Sequence, residues 1–84
     1  MSTLAELSIF PLDKGISVST YVAKMLKIIQ NSGLEYELGP MGTCIEGEWE
    51  EIMDVIDKCF KTLAAECNRI YLNLKVDYRQ GRKN

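Results

Sequence analysis

Gly39-Pro40-Met41-Gly42-Thr43-Cys44-Ile45-Glu46-Gly47-Glu48-Trp49 carries the most specific pattern in this chain. Gly39-Pro40 punctuates, Met41 to Glu46 reads as a short strand, and Gly47 turns the chain into an acidic stretch that opens a long amphipathic helix. Strand, tight turn and helix start are compressed into about a dozen residues. Such a junction gathers backbone N–H groups, the Thr43 hydroxyl and the Glu46 carboxylate, the equipment that grips small polar ligands. A plain strand-to-helix turn needs the same residues, so the pattern admits both readings.

Outward from this junction, periodicity supplies the remaining elements. The spacing predicts a helix from Glu48 to about Cys67, with a core-facing stripe of Trp49, Ile52, Met53, Ile56, Cys59, Phe60 and Leu63. Glu48, Glu50 and Glu51 in its first turn complement the helix dipole. Upstream, Leu34 to Leu38 alternates as a strand, with Leu34, Tyr36 and Leu38 inward. Asn31-Ser32-Gly33 stops a helix that starts at Ser17 or Ser19 and turns Val18, Val22, Met25, Leu26 and Ile29 inward.

At the ends of the chain the alternation is cleaner. Leu4 to Phe10 predicts a strand with Ala5, Leu7 and Ile9 on one side, Glu6, Ser8 and Phe10 on the other, ended by Pro11. Arg69 to Asp77 predicts the last strand, with Ile70, Leu72, Leu74 and Val76 opposite Tyr71, Asn73, Lys75 and Asp77. The order β-α-β-β-α-β specifies a single α+β domain over residues 1–84 of ferredoxin-like type: a four-stranded antiparallel sheet with two helices on one face. Two helices leave the other face open to water, a ligand or another subunit, and function is expected there.

Composition narrows the chemistry. Ten basic against 12 acidic residues argue against a non-specific polyanion binder, although Arg79-Gln80-Gly81-Arg82-Lys83-Asn84 forms a small basic tail. No basic region precedes an apolar stretch at the N-terminus, and no run approaches the ~20 apolar residues that span a bilayer. A cytoplasmic setting without membrane insertion is therefore expected, and three cysteines, Cys44, Cys59 and Cys67, suit it. The sequence holds no histidine, which removes imidazole bases, Cys–His dyads and imidazole-dependent zinc sites. No metal site and no cofactor is expected.

Several segments together resemble the small thiamine-binding protein family. They are Ser8 in the first strand, Tyr21-Val22-Ala23, Ser32-Gly33-Leu34-Glu35-Tyr36, Gly39-Pro40-Met41-Gly42-Thr43, Ile45-Glu46-Gly47-Glu48-Trp49-Glu50-Glu51-Ile52-Met53 and Val76-Asp77-Tyr78-Arg79. The resemblance runs from about Leu4 to Arg79. It implies a ferredoxin-like subunit that assembles through its open sheet face into homo-oligomers, dimers or tetramers. It also implies binding of thiamine or its hydroxymethylpyrimidine half, without catalysis, in salvage or transport of the vitamin. Many members of that family continue past the last strand as a helical tail, whereas this sequence stops at Asn84.

An aminopyrimidine needs an acceptor for its amine, a donor for its ring nitrogen and an apolar wall. Glu46 is the first choice for the acceptor and Thr43 for the donor, with a helix-entry acid and an ordinary strand threonine as the plain alternatives. Strict alternation separates the two, so both serve one ligand only if the strand bulges. Ser8 and Asn73 complete the polar set from the open face, with an interface or surface place as the plain alternative, and Met41 and Phe10 form the wall, with a core or subunit-contact role as theirs. Trp49 is read as core.

Three other functions compete. A structural or regulatory homo-oligomer would use the same face with another ligand or none. RNA binding of the kind shared by this strand order needs aromatics on the central strands, where this chain offers one aromatic, Phe10, among acids. An enzyme using Glu46 and Asp77 as acid and base has nothing in the spacing to require it.

Overall fold

β1 spans Thr3–Pro11 and alternates buried and half-buried residues without a break, the pattern of a strand with one face against a core. The remaining elements of this computed structural model, which describes residues 2–81, follow in the predicted order. A 3₁₀ turn at Gly15–Ser17 leads into α1, Val18–Asn31; β2 is Glu35–Leu38, β3 Thr43–Gly47, α2 Trp49–Ala64 and β4 Ile70–Tyr78. The four strands form one antiparallel sheet in the order β2-β3-β1-β4. This is the ferredoxin-like α+β arrangement expected from the sequence. Of the basic tail, Arg82, Lys83 and Asn84 lie outside the described residues.

Cross-strand register fixes which side chains share a face. Ala5 pairs with Ile45 and Val76, and Leu7 with Thr43 and Leu74, so these stand on the helix side. Leu4 pairs with Glu46 and Asp77, and Glu6 with Cys44 and Lys75, so these stand on the open side. The core is the helix-side set of Ala5, Leu7, Ile9 and Ile45 packed against Met25 and Ile29 of α1 and Ile52, Val55, Ile56, Cys59 and Leu63 of α2.

Three expectations are corrected here. Trp49 and Phe60 fall on the apolar stripe of α2 by spacing, yet they are 47% and 44% exposed. A helix lying on a sheet buries a narrow arc, and Ile52, Val55, Ile56, Cys59 and Leu63 fill it. Tyr36 and Leu38 do not point into a covered core either. β2 is a short edge strand and all four of its residues are exposed. Met41 belongs to no strand, because β3 begins at Thr43.

Local chemistry explains the joints. α1 ends at Asn31, and Gly33 follows with φ +79°, the left-handed conformation that closes a helix C-terminus with little strain only at glycine. α2 opens with Glu48 as its N-cap, whose backbone N–H donates to the Glu51 carboxylate at 3.1 Å. The loops at the far end are tied together by Asp13, which accepts from the Asn68 backbone N–H at 2.7 Å. Those backbone bonds hold the Asp13 carboxyl below its ordinary pKa. Lys24 of α1 pairs with Glu66 beyond α2 at 2.9 Å, an exposed link of small energetic weight.

Candidate functional site

β1 is nine residues long and β3 five, and this difference creates the main concavity. β4 pairs with β1 along its full length, from Thr3 to Pro11, whereas β3 pairs with it only from Thr3 to Leu7. Beyond Leu7 the chain has already turned away through the Gly39–Gly42 hairpin, which the Gly39 N–H closes by donating to the Gly42 carbonyl at 2.8 Å. A cavity of about 480 Å³ opens between this hairpin, the end of β1 and the flank of α1.

Its walls are mostly apolar: Leu7, Ile9 and Leu38 from the sheet, and Val22, Met25, Leu26 and Ile29 from α1. The inward-facing Thr43 hydroxyl adds polarity, Met41 stands at the hairpin tip, and Ser8 and Phe10, whose side chains face the open side, border the cavity from the end of β1. Volume and lining both match a small-molecule site, an apolar pocket with a few polar groups. Met41, at the hairpin tip, is 82% exposed, an unusual state for a large apolar side chain that belongs to no core.

Gly42 allows the hairpin to close so near β1. A Cβ on Gly42 would stand 3.1 Å from the Leu7 carbonyl oxygen and 3.2 Å from Cγ of Glu6. A side chain here would push the turn a few tenths of an ångström away from β1.

Four of the six residues chosen from sequence therefore line one cavity: Ser8, Phe10, Met41 and Thr43. Glu46 and Asn73 do not. β3 keeps a continuous register against β1 with no bulge, so Glu46 projects onto the open face, opposite Thr43. There Glu46 borders a separate depression of about 320 Å³ with Leu4, Glu35, Glu37 and Cys44. Asn73 borders a third, about 210 Å³, with Glu6 and Lys75. That third depression shares Ser8 and Met41 with the main cavity, so the two meet at the hairpin tip.

The helical wall and the β1 edge were invisible to sequence reading, which treated Val22 and Leu26 as ordinary core. The available signal was the mismatch between a long first strand and a hairpin broken by Gly39 and Gly42. On the open face, Phe10 and Tyr71 stack across β1 and β4 with ring centroids 5.5 Å apart. Glu46 and Asp77 flank Leu4 in one cross-strand row, two strand spacings or about 10 Å apart. The thiols offer no nucleophile beside the cavity. Burial pushes Cys59 up to about 11, and Cys44 lies on the open face.

Known proteins resemble this chain in sequence and in fold. A family model described as thiamine-binding protein matches residues 5–84. The UPF0045 protein MJ1052 of Methanocaldococcus jannaschii is 37% identical over 81 residues, covering 96% of this chain and 81% of the relative. A UPF0045 protein of Mycobacterium tuberculosis is 35% identical over 82 residues, covering 96% and 80%. The crystal structure of MJ1052 superposes with a TM-score of 0.88 at 36% identity, over all of this chain and 88% of that one. A Thermotoga maritima protein, TM0486, whose proposed role is thiamine biosynthesis or salvage, superposes at 0.89 with 27% identity, over all of this chain and 90% of that one. The chain belongs to the thiamine-binding protein family.

Proposed function

We infer that this protein binds thiamine or its hydroxymethylpyrimidine precursor, without acting on it chemically, in salvage, transport or sensing of the vitamin. The observation that carries the reading is the gathering of Ser8, Phe10, Met41 and Thr43 around a single apolar cavity of about 480 Å³. A flat methylated ring fits within such a space, with the Thr43 hydroxyl available to a ring nitrogen. Thiamine is longer and carries a cationic second ring. It extends past Met41 toward the adjoining depression, where Glu6 and Lys75 set one charge of each sign side by side.

Glu46 and Asn73 act from the open face, at a seam between copies. Leu4, Phe10 and Tyr71 give that face its apolar content, and a sister subunit covering them would complete a domain too small to bury all its apolar surface alone. Dimers or tetramers are expected. Acidic residues on the face and a net charge of −2 speak against a nucleic-acid partner. Among the described residues no helix is long and apolar enough to cross a membrane, and the three free thiols suit a reducing cytoplasm.

Calorimetry tests the reading. Thiamine and hydroxymethylpyrimidine should each give saturable heats, and Met41→Ala should weaken thiamine more than the smaller pyrimidine. No heat with either ligand defeats it. In that case an oligomer whose sheet face only joins subunits becomes the better account, and light scattering would still report the assembly.

A further inference from the structure

The sheet itself presents an unused hydrogen-bonding edge to the cavity. The Leu12 N–H donates to the Arg69 carbonyl at 2.9 Å, and the Arg79 N–H donates to the Ser2 carbonyl at 3.0 Å, both in the register that joins β1 to β4. In an antiparallel sheet each residue turns its N–H and C=O to the same neighbour, and the next residue turns both to the other. The even-numbered residues of β1 therefore bond β4, and Thr3, Ala5, Leu7, Ile9 and Pro11 turn their backbone groups toward β3.

β3 meets the first three of these through Gly47, Ile45 and Thr43, and then it ends. Pro11 has no N–H to offer. Ile9 is left with one donor and one acceptor side by side on the cavity wall. Among the described residues the Gly39–Gly42 turn makes no bond to them, and the side-chain hydrogen bonds lie elsewhere. The Ile9 side chain is buried in the core, which fixes the strand and holds both backbone groups in place. Water can satisfy this donor and acceptor in the open cavity, and a ligand that displaces that water must offer a complementary pair in its place.

We propose that the Ile9 main chain reads the aminopyrimidine: its N–H donates to a ring nitrogen while its C=O accepts from the adjacent exocyclic amine. The inference rests on the reading that the pyrimidine enters this cavity. It goes further by assigning the recognition of the amine to the backbone, and the ligand continues the ladder where β3 stops. Two adjacent complementary bonds fix the orientation of the ring, which a single threonine hydroxyl cannot do. The chemical class selected is a planar heterocycle with an acceptor nitrogen beside a primary amine.

Amide spectra of ¹⁵N-labelled protein, titrated with hydroxymethylpyrimidine and with the same ring lacking its amine, test this. The Ile9 resonance should move downfield and its hydrogen exchange slow, while the Leu7 amide, already bonded to β3, stays put. The deaminated ring should bind about tenfold more weakly, the worth of one hydrogen bond. Ile9→Pro removes the donor without breaking a bond to β4, and should weaken the aminopyrimidine by a similar factor. The labelled native protein gives a result even if that variant misfolds. Saturable binding with an unmoved Ile9 amide and no preference for the amine overturns this proposal and leaves the general function standing. An absence of any binding removes both.

Discussion

Thr43 and Glu46 lie three positions apart on β3 and point to opposite faces of the sheet, Thr43 to the cavity beside α1 and Glu46 to the open side. On the proposed function the separation gives the two residues different jobs. Thr43→Val keeps the shape of the side chain and deletes the hydroxyl, so it should weaken pyrimidine binding by about tenfold in calorimetry. Glu46→Ala should cost the isolated subunit less than that, and should change the assembly measured by light scattering more.

Gly42 controls how closely the hairpin approaches β1. Gly42→Val places a branched side chain beside the Leu7 carbonyl, whose oxygen would stand 3.1 Å from the new Cβ. The turn must back away, at a cost of about 1–3 kcal/mol in urea unfolding. Cavity shape changes with it, so ligand affinity should fall together with stability.

Side chains of similar apolar character differ sharply in their contribution to the core. Ile45→Ala empties a fully buried site and should lower stability by about 2–5 kcal/mol. Trp49→Ala removes a larger but half-exposed side chain, and should cost less than half as much by the same denaturation measurement. The reverse ranking would return Trp49 to the core.

Cys44 reports on the open face. It is partly exposed, whereas Cys59 and Cys67 are buried, and burial keeps the Cys59 thiol protonated near neutral pH. A thiol reagent should label one cysteine quickly in the native protein, identified as Cys44 by peptide mass. If copies meet through this face, the labelling rate falls as protein concentration rises. A rate independent of concentration places the subunit contact elsewhere.

Asp13 links stability to acid. Its carboxyl is held below the ordinary range chiefly by the Asn68 backbone N–H, with further backbone bonds and Lys14 adding to the effect. A depressed folded-state value means that the stabilisation is fully present above about pH 4 and is lost as pH falls through the folded-state value. The gap in urea midpoint between the native protein and Asp13→Ala should be open at neutral pH and close in acid.

Alternation made most of the sheet legible. Glu6, Ser8 and Phe10 stand opposite Ala5, Leu7 and Ile9 as the residues require, because a period of two leaves a strand one way to bury an apolar set. The family was legible as well, from segments spread between Ser8 and Arg79, the stretch around Gly39 to Trp49 being the most specific of them. Burial on α2 was not. Helical spacing marks Trp49, Ile52, Ile56 and Phe60 alike, and the docking angle of the helix on the sheet decides which are covered. The cavity was hidden for a related reason. It arises where β1 outruns β3, and the edge of Ile9 becomes visible only when both registers are laid side by side.

The early end of the β2–β3 hairpin sets the protein's usefulness against its robustness. A hairpin two residues longer on each limb would zip along the rest of β1, clasp Ile9 and seal the hole, giving a tougher molecule without the cavity. Laboratory selection for heat resistance alone should therefore drift toward insertions at the Pro40-Met41 tip, and each survivor would be sturdier and empty.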